Sequence, residues 1–276
     1  MRLYFFSRQS DASEPVLTAM NNQPLNLWCA YPDDLLSEPV AESCASLLSE
    51  DERARWHRFR FARHAREFLA TRALVRTALS HYRPLAPEAW RFQVNAHGKP
   101  AVEPSCGLRF NLSNSPGLVV CLISQGADVG VDVEPHERAQ KIAGLAPEVF
   151  SPRELAQLDA LHGPERLDRA LSLWTLKEAY IKARGLGLSL PLDRFSFLFG
   201  GVEGIHLAPG LGDQAERWRF CLLEHANHRI ALMAAQSAAP EVQIWESRLF
   251  SAPPKQLPGG GEIWFPRKQP VSLSPL

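Results

Sequence analysis

The chain repeats one pattern of elements, and that repeat narrows the fold more than any other feature. Ser49-Glu50-Asp51-Glu52 and Ser151-Pro152-Arg153-Glu154 both read S-x-x-E, in which serine and glutamate each satisfy an unpaired N–H at a helix start. The second has proline at the first helical position, where its missing N–H costs nothing. Each opens a helical stretch, the first carrying Phe68, Leu69, Leu74, Val75 and Leu79, the second Leu171, Trp174 and Ile181. Strand-like runs follow each: Trp90–Val94, Leu108–Leu112 and Leu118–Ile123 in the first, Phe195–Phe199, Trp218–Leu223 and Arg229–Ala234 in the second. An α+β pseudo-dimer is expected, two similar halves related by a pseudo-twofold with the active site between them. The expected division is 1–127 and 128–240, with Asn26–Tyr31 as a first strand. Residues 1–19 read as a dispensable extension. Residues 241–276 read as a peripheral tail, because Ser251-Ala252-Pro253-Pro254 and Pro258-Gly259-Gly260-Gly261 break any periodicity.

Lysine plus arginine and aspartate plus glutamate cancel at 30 each, so nothing global argues for nucleic acid or a membrane surface. Locally, Arg53 to Arg83 holds nine arginines and one acid, Glu67, which marks a basic surface. Five cysteines with no C-x-x-C pair point to a reducing compartment rather than to disulfides or structural zinc. Cys121, within Leu118–Ile123, reads as a small buried hydrophobe. Leu3–Phe6 is too short for a signal sequence, and no run approaches membrane-spanning length. A cytoplasmic protein is expected.

Two segments carry the chemistry. Val129, Val131 and Val133 alternate with Gly130, Asp132 and Glu134, the period of a strand, so Asp132 and Glu134 project together from one face. Downstream, Trp174 to Lys182 has helical spacing, with Glu178 and Lys182 four residues apart on one side. Three carboxylates and a lysine that can converge suit a hard divalent cation beside a phosphate. Taken alone, Asp132 and Glu134 read equally as edge-strand carboxylates, and Glu178 and Lys182 as a surface pair. Two further segments add weight. His97-Gly98-Lys99-Pro100 is a turn whose glycine allows close backbone approach and whose lysine can reach a phosphate. Phe110-Asn111-Leu112-Ser113-Asn114-Ser115 is a short strand ending in small hydrogen-bonding side chains.

In order, GKP, FNLSNS, GVDVEP, F-S-x-x-E, WTLKEAYIKARGLGLSLPL and F-S-F closely resemble the 4′-phosphopantetheinyl transferases of the Sfp type, over about Leu25 to Ala235. The resemblance implies transfer of the phosphopantetheine arm of coenzyme A to a serine of an acyl or peptidyl carrier protein, releasing adenosine 3′,5′-bisphosphate. It implies that Asp132, Glu134 and Glu178 hold Mg²⁺ on the pyrophosphate. Glu178, directly or through water, takes the serine proton, and Lys182 offsets charge in the transition state. His97, Gly98, Lys99 and Pro100 match the family's nucleotide contact, and Ser113 a phosphate contact. Arg55 and Arg66 fall where relatives place cations for the 3′-phosphate; Arg58, Arg63, Arg72 and Arg76 are further candidates in that stretch. Asn114 departs from the commoner F-N-x-S-H-S, and its amide donates a hydrogen bond to phosphate without carrying charge.

Two rival readings stand beside this one. A Mg²⁺-dependent nuclease fits D-x-E with E-x-x-x-K and the arginine-rich helix, but leaves the GKP turn, the Asn-Leu-Ser-Asn segment and the doubled architecture unexplained. A non-catalytic carrier-protein binding module would be marked by loss of the acidic triad or Lys182, and all four are present. With both halves in one chain, a monomer is expected.

Overall fold

The computed structural model describes residues 24–199, 204–238 and 241–247, together with short strand segments at Leu3–Phe6, Lys255–Gln256, Glu262–Ile263 and Arg267–Gln269. In chain order the elements are β1 (Leu3–Phe6), β2 (Leu25–Ala30), α1 (Glu38–Ser46), α2 (Glu50–Trp56), α3 (Ala62–Ser80), β3 (Arg91–Val94), β4 (Pro100–Glu103), β5 (Leu108–Ser115), β6 (Leu118–Gln125), β7 (Val129–Pro135), α4 (Ala139–Gly144), α5 (Ala146–Val149), α6 (Pro152–Asp159), α7 (Gly163–Arg184), β8 (Phe195–Leu198), β9 (Gly204–Leu207), β10 (Trp218–His225), β11 (His228–Ala235) and β12 (Val242–Ser247). The expected division at 127/128 falls in the turn between β6 and β7.

Two sheets make the core. The first runs β12-β2-β6-β5, with Arg267–Gln269 outside β12; the second runs β1-β10-β11-β7. They face each other through Leu25, Leu27, Leu118, Val120 and Leu122 on one side and Val131, Val133, Leu223, Ile230 and Leu232 on the other, all at most 2% exposed. The outer face of the first sheet is covered by α3 through Leu69, Ala73 and Leu74 against Trp28, Val119 and Cys121. The outer face of the second is covered by α7 through Leu173, Leu176 and Tyr180 against Phe220, Leu222 and Met233. The result is four layers, helix-sheet-sheet-helix, and it is the α+β pseudo-dimer expected from the repeat.

Both S-x-x-E motifs form full capping boxes, Ser49 with Glu52 and Ser151 with Glu154. Each glutamate also anchors a cation from the long helix of its own half. Arg76 on α3 is 1% exposed and pairs with Glu52 at 2.6 Å while donating to the Trp90 carbonyl. Lys177 on α7 is fully buried, pairs with Glu154 at 2.6 Å and donates to the Phe195 carbonyl. The pseudo-twofold therefore relates buried ion pairs as well as helices and strands. Arg76 is thereby withdrawn from the phosphate candidates.

Both chain ends depart from expectation. Val242–Ser247, expected within a peripheral tail, is a strand parallel to β2. Val242 and Ile244 are 4% and 3% exposed, and Trp245 stacks on Trp28 at 5.0 Å. The short Val-Gln-Ile-Trp alternation before the proline-rich segment is the signal for it. Leu3–Phe6, placed with the first half, pairs instead with β10 of the second. Residues 7–23 and most of 248–276 lie outside the described residues. Among the described residues no helix is long and apolar enough to cross a membrane.

Candidate active site

The edge strand β7 meets three other elements where the halves join. Its Gly130, Asp132 and Glu134 face α7, and the valines face the sheet interface. A side chain at Gly130 has no room, since a Cβ there would lie 2.0 Å from the Ala179 carbonyl oxygen and 2.5 Å from the Ala183 nitrogen. The glycine thus lets α7 lie directly on the strand that carries the acids. On the open edge of β7 the backbone N–H groups of Val131 and Val133 donate to Asn111 Oδ1 (2.9 Å) and Ser113 Oγ (3.3 Å) of β5. Two side chains, two residues apart on one strand, replace a missing ladder partner.

Around Asp132 the groups converge. Its Oδ1 accepts from Ser113 Oγ at 2.9 Å and from Lys182 Nζ at 2.7 Å, and Lys182 also donates to Ser113 at 2.8 Å. Asp132 Oδ2 is buried without a hydrogen-bond partner among the described residues, an arrangement that leaves a lone pair to be satisfied by something else. Glu134, 5% exposed, is held by Trp174 Nε1 (2.9 Å) and by the Arg138 guanidinium. Burial raises its carboxyl above the usual range and Asp132 raises it further, against the opposing pull of Trp174 and Arg138. Glu178, half-buried on α7, is raised for the same first reason, then by Asp132, with Lys182 acting in the other direction. An all-oxygen donor set with an orphaned buried oxygen and carboxylates crowded by like charge fits a hard divalent cation.

The His97–Pro100 turn lies at the C-terminal end of α7. Gly98 takes φ +84°, and His97 is exposed. Lys99 differs from the expectation of an ammonium open to a nucleotide: its Nζ donates to the carbonyls of Ala183 (2.7 Å) and Val129 (3.2 Å), and burial lowers it to about 8. A cavity of about 400 Å³ opens beside it, lined by Pro100, Phe110, Val129 and Arg184 among others.

In the arginine-rich stretch, Arg55 is exposed over the Phe68 ring at 5.3 Å, and Arg66 is half-buried. Arg63 reaches Glu67 at 3.7 Å and Arg72 reaches Glu52 at 3.7 Å. Arg58 is exposed. Asn114 is also exposed, and the alternation of β5 points it to the opposite face from Ser113, the face shared with Phe110 and α3. Ser113 is fully used in the Asp132–Lys182 network, whereas Asn114 is not part of it.

Asn111, Gly130, Trp174 and Arg138 have no role in the sequence-based expectation. Asn111, Gly130 and Trp174 sit inside the quoted motifs, and only their non-local partners show what they do at the site. A further group, His136, Asp168 and Glu224, brings one ligand atom each within 4.8 Å of the others. Arg229 already fills it, 2.6 Å from Asp168 and 2.5 Å from Glu224, so it is an ion-pair cluster.

Residues 37–126 match the family described as 4′-phosphopantetheinyl transferase, N-terminal, and residues 128–233 match the 4′-phosphopantetheinyl transferase superfamily. The chain is 34% identical over 234 residues to the 4′-phosphopantetheinyl transferase HetI of Nostoc sp., covering 84% of this chain and 95% of that protein. It is 32% identical over 172 residues to the 4′-phosphopantetheinyl transferase Sfp of Bacillus subtilis, covering 62% and 75%. A solved holo-(acyl-carrier-protein) synthase of Bacillus anthracis aligns with 40% of this chain and 96% of its own at 16% identity and a TM-score of 0.34. With relatives matched along most of its length and both halves accounted for, the chain belongs to the 4′-phosphopantetheinyl transferase superfamily, in its Sfp type.

Proposed function

We propose that this transferase moves the 4′-phosphopantetheine arm of coenzyme A onto a serine hydroxyl of an acyl or peptidyl carrier protein, with Mg²⁺, releasing adenosine 3′,5′-bisphosphate. The observation that carries the reading is the meeting of Asp132 and Glu134 from β7 with Lys182 from α7 and Ser113 from β5, with one Asp132 oxygen left unsatisfied. Glu178 stands on the same face of α7, one turn before Lys182.

The serine oxygen forms a bond to the phosphorus bearing the pantetheine arm, and the bond from that phosphorus to the bridging oxygen breaks. Adenosine 3′,5′-bisphosphate carries away the electron pair. The serine proton passes to Glu178, directly or through one water. Burial and then Asp132 raise the Glu178 carboxyl above the ordinary carboxylate range, which makes its ionised form a stronger base. Lys182, fixed by Asp132 and Ser113, places its ammonium where charge builds on the pyrophosphate, and a preorganised cation stabilises that charge without reorganising. Asp132, Glu134 and Glu178 would hold the Mg²⁺, which when bound supplies positive charge to the pyrophosphate. Arg55 and Arg66 serve the 3′-phosphate and Asn114 a neighbouring phosphate oxygen. Both halves of the site come from one chain, which supports a monomer, and five cysteines with no C-x-x-C pair support a reducing, cytoplasmic setting.

Incubation with a purified carrier protein, coenzyme A and Mg²⁺, followed by intact-mass measurement, tests the reading. A gain of one phosphopantetheine on the carrier, lost in a serine-to-alanine carrier and on Mg²⁺ chelation, is expected. An unchanged carrier mass with fatty-acid, polyketide and nonribosomal-peptide carriers alike overturns it.

A further inference from the structure

We infer that Lys99 is a positioning residue: it pins the strand bearing Asp132 and Glu134 to the helix bearing Glu178 and Lys182, and it does so from the opposite half of the molecule. The inference rests on the transfer reading above and concerns how its site is held together.

A helix leaves its last carbonyls without intrahelical partners. At the end of α7 those carbonyls are met by a turn of the first half. Lys99 Nζ takes the Ala183 carbonyl at 2.7 Å, and Asn95 Nδ2 takes the Gly185 carbonyl at 2.8 Å. The same ammonium takes the Val129 carbonyl, on the first residue of β7, at 3.2 Å. One cation therefore joins a residue adjacent to Lys182 in sequence to a residue three before Asp132. Its charge also complements the negative end of the helix dipole.

The turn is built for that contact. Asn95 Oδ1 accepts from the backbone N–H groups of both His97 and Lys99 at 2.9 Å, which fixes the loop before the lysine leaves it. Gly98 supplies the left-handed backbone at φ +84°. On the other side Gly185, at φ +64°, closes α7 in the left-handed conformation of a helix C-cap. A Cβ at Gly185 would come within 2.8 Å of Lys99 Cδ and 3.3 Å of Asn95 Nδ2. The close approach of turn and cap therefore uses the missing side chain at Gly185, and Gly98 gives the turn its positive φ without strain. With its ammonium turned to two carbonyls in a largely buried place, Lys99 has little left to offer a nucleotide.

The test compares wild type, Lys99→Met, Lys99→Arg and Asn95→Ala by steady-state transfer with coenzyme A and with dephospho-coenzyme A, and by hydrogen exchange of the last turn of α7. Small misplacement of a catalytic group costs up to about a hundredfold, so Lys99→Met should lower kcat by at least tenfold. KM for coenzyme A should stay within about threefold, with the same loss on both nucleotides, because groundstate contacts are untouched. Lys99→Arg should restore most of kcat. The amides at the end of α7 should exchange faster in Lys99→Met and, less so, in Asn95→Ala. If Lys99→Met folds poorly, Asn95→Ala decides, with a smaller kcat loss at constant KM expected. A raised KM confined to coenzyme A with kcat retained shows a 3′-phosphate contact and overturns the inference. So does unchanged exchange in α7, or a lower Tm with kcat intact. Failure of wild type itself to transfer strikes the functional reading instead, and the exchange experiment still tests the pin.

Discussion

At the scale of single residues, the acids of the site are held in a state that opposes folding. Glu134 and Glu178 both have carboxyls raised above the ordinary 4.5, first by burial and then by Asp132. A raised folded-state value means these groups favour the fold fully below about 4.5, and that contribution is lost as pH rises through their folded-state values. Thermal stability of the metal-free protein should therefore fall across that window, and Glu178→Gln should flatten the fall and raise Tm near pH 7. The same variant should lose transfer, as should Asp132→Ala, because the base or the cation-facing oxygen is gone while the apolar core is untouched. A Glu178→Gln protein with near wild-type turnover at limiting Mg²⁺ would falsify the assignment. The arginines separate by their partners. Arg55→Ala and Arg66→Ala should weaken coenzyme A by roughly one to two decades and dephospho-coenzyme A much less, since a charge-assisted hydrogen bond is worth about 1.5–3 kcal/mol. Arg76→Ala should instead destabilise the fold by about 1–3 kcal/mol, because it removes the closest cation from Glu52 and leaves the Trp90 carbonyl without its buried donor. Denaturant titration against nucleotide binding distinguishes the two behaviours. The sequence shows nine arginines alike; only packing tells which of them point at a glutamate.

At the scale of elements, the junction of β7 and α7 decides the site. The alternation of valines with Gly130, Asp132 and Glu134 identifies the strand from sequence, and the spacing of Glu178 and Lys182 identifies the helix face. What local pattern does not reveal is that β7 is buried on both faces and along its edge. That follows from α7 lying on Gly130 and from Asn111 and Ser113 reaching across from β5, contacts between residues about 20 apart or more. For the same reason Ser113 reads from sequence as a phosphate ligand, whereas its hydroxyl is shared among Asp132, Lys182 and the Val133 N–H. Gly130→Ala should force α7 off the strand. Overpacking of this kind costs about 1–3 kcal/mol and sometimes more, and here the nearest atoms are backbone, which cannot swing aside. A clear loss of Tm together with a kcat loss greater than the loss of folded protein is expected. Unchanged Tm would show that the helix tolerates a wider spacing.

At the scale of the whole molecule, the halves are tied together by their ends. The S-x-x-E repeat gives away the two α+β units, because capping boxes and helical periodicity are local. The exchange of terminal strands is not local: β1 pairs with β10 of the second half, and β12 runs parallel to β2 of the first. Both strands are short, and β12 stands next to a proline- and glycine-rich stretch that masks its alternation. The two ends should respond differently to removal. β1 is at the edge of its sheet farthest from β7, so a chain starting at Met20 uncovers the β10 edge and leaves the site intact. It should remain active, with a lower Tm and a greater tendency to associate through the open edge. A chain stopped at residue 240 loses Val242 and Ile244 from the interface between the sheets and the Trp245 ring from Trp28. Burying each such aliphatic side chain contributes about 1.5–3 kcal/mol, and the stacked indole adds to that, against a total stability of about 5–15 kcal/mol for a typical domain. The shortened chain should be largely unfolded or insoluble, whereas one stopped at residue 247 gives up only the pairing of Arg267–Gln269 on β12, and should melt slightly below wild type and keep transfer. Circular dichroism melts of the three chains, with carrier modification by intact mass, check the ordering. A residue-240 chain as stable as the residue-247 chain would show that β12 only decorates the sheet.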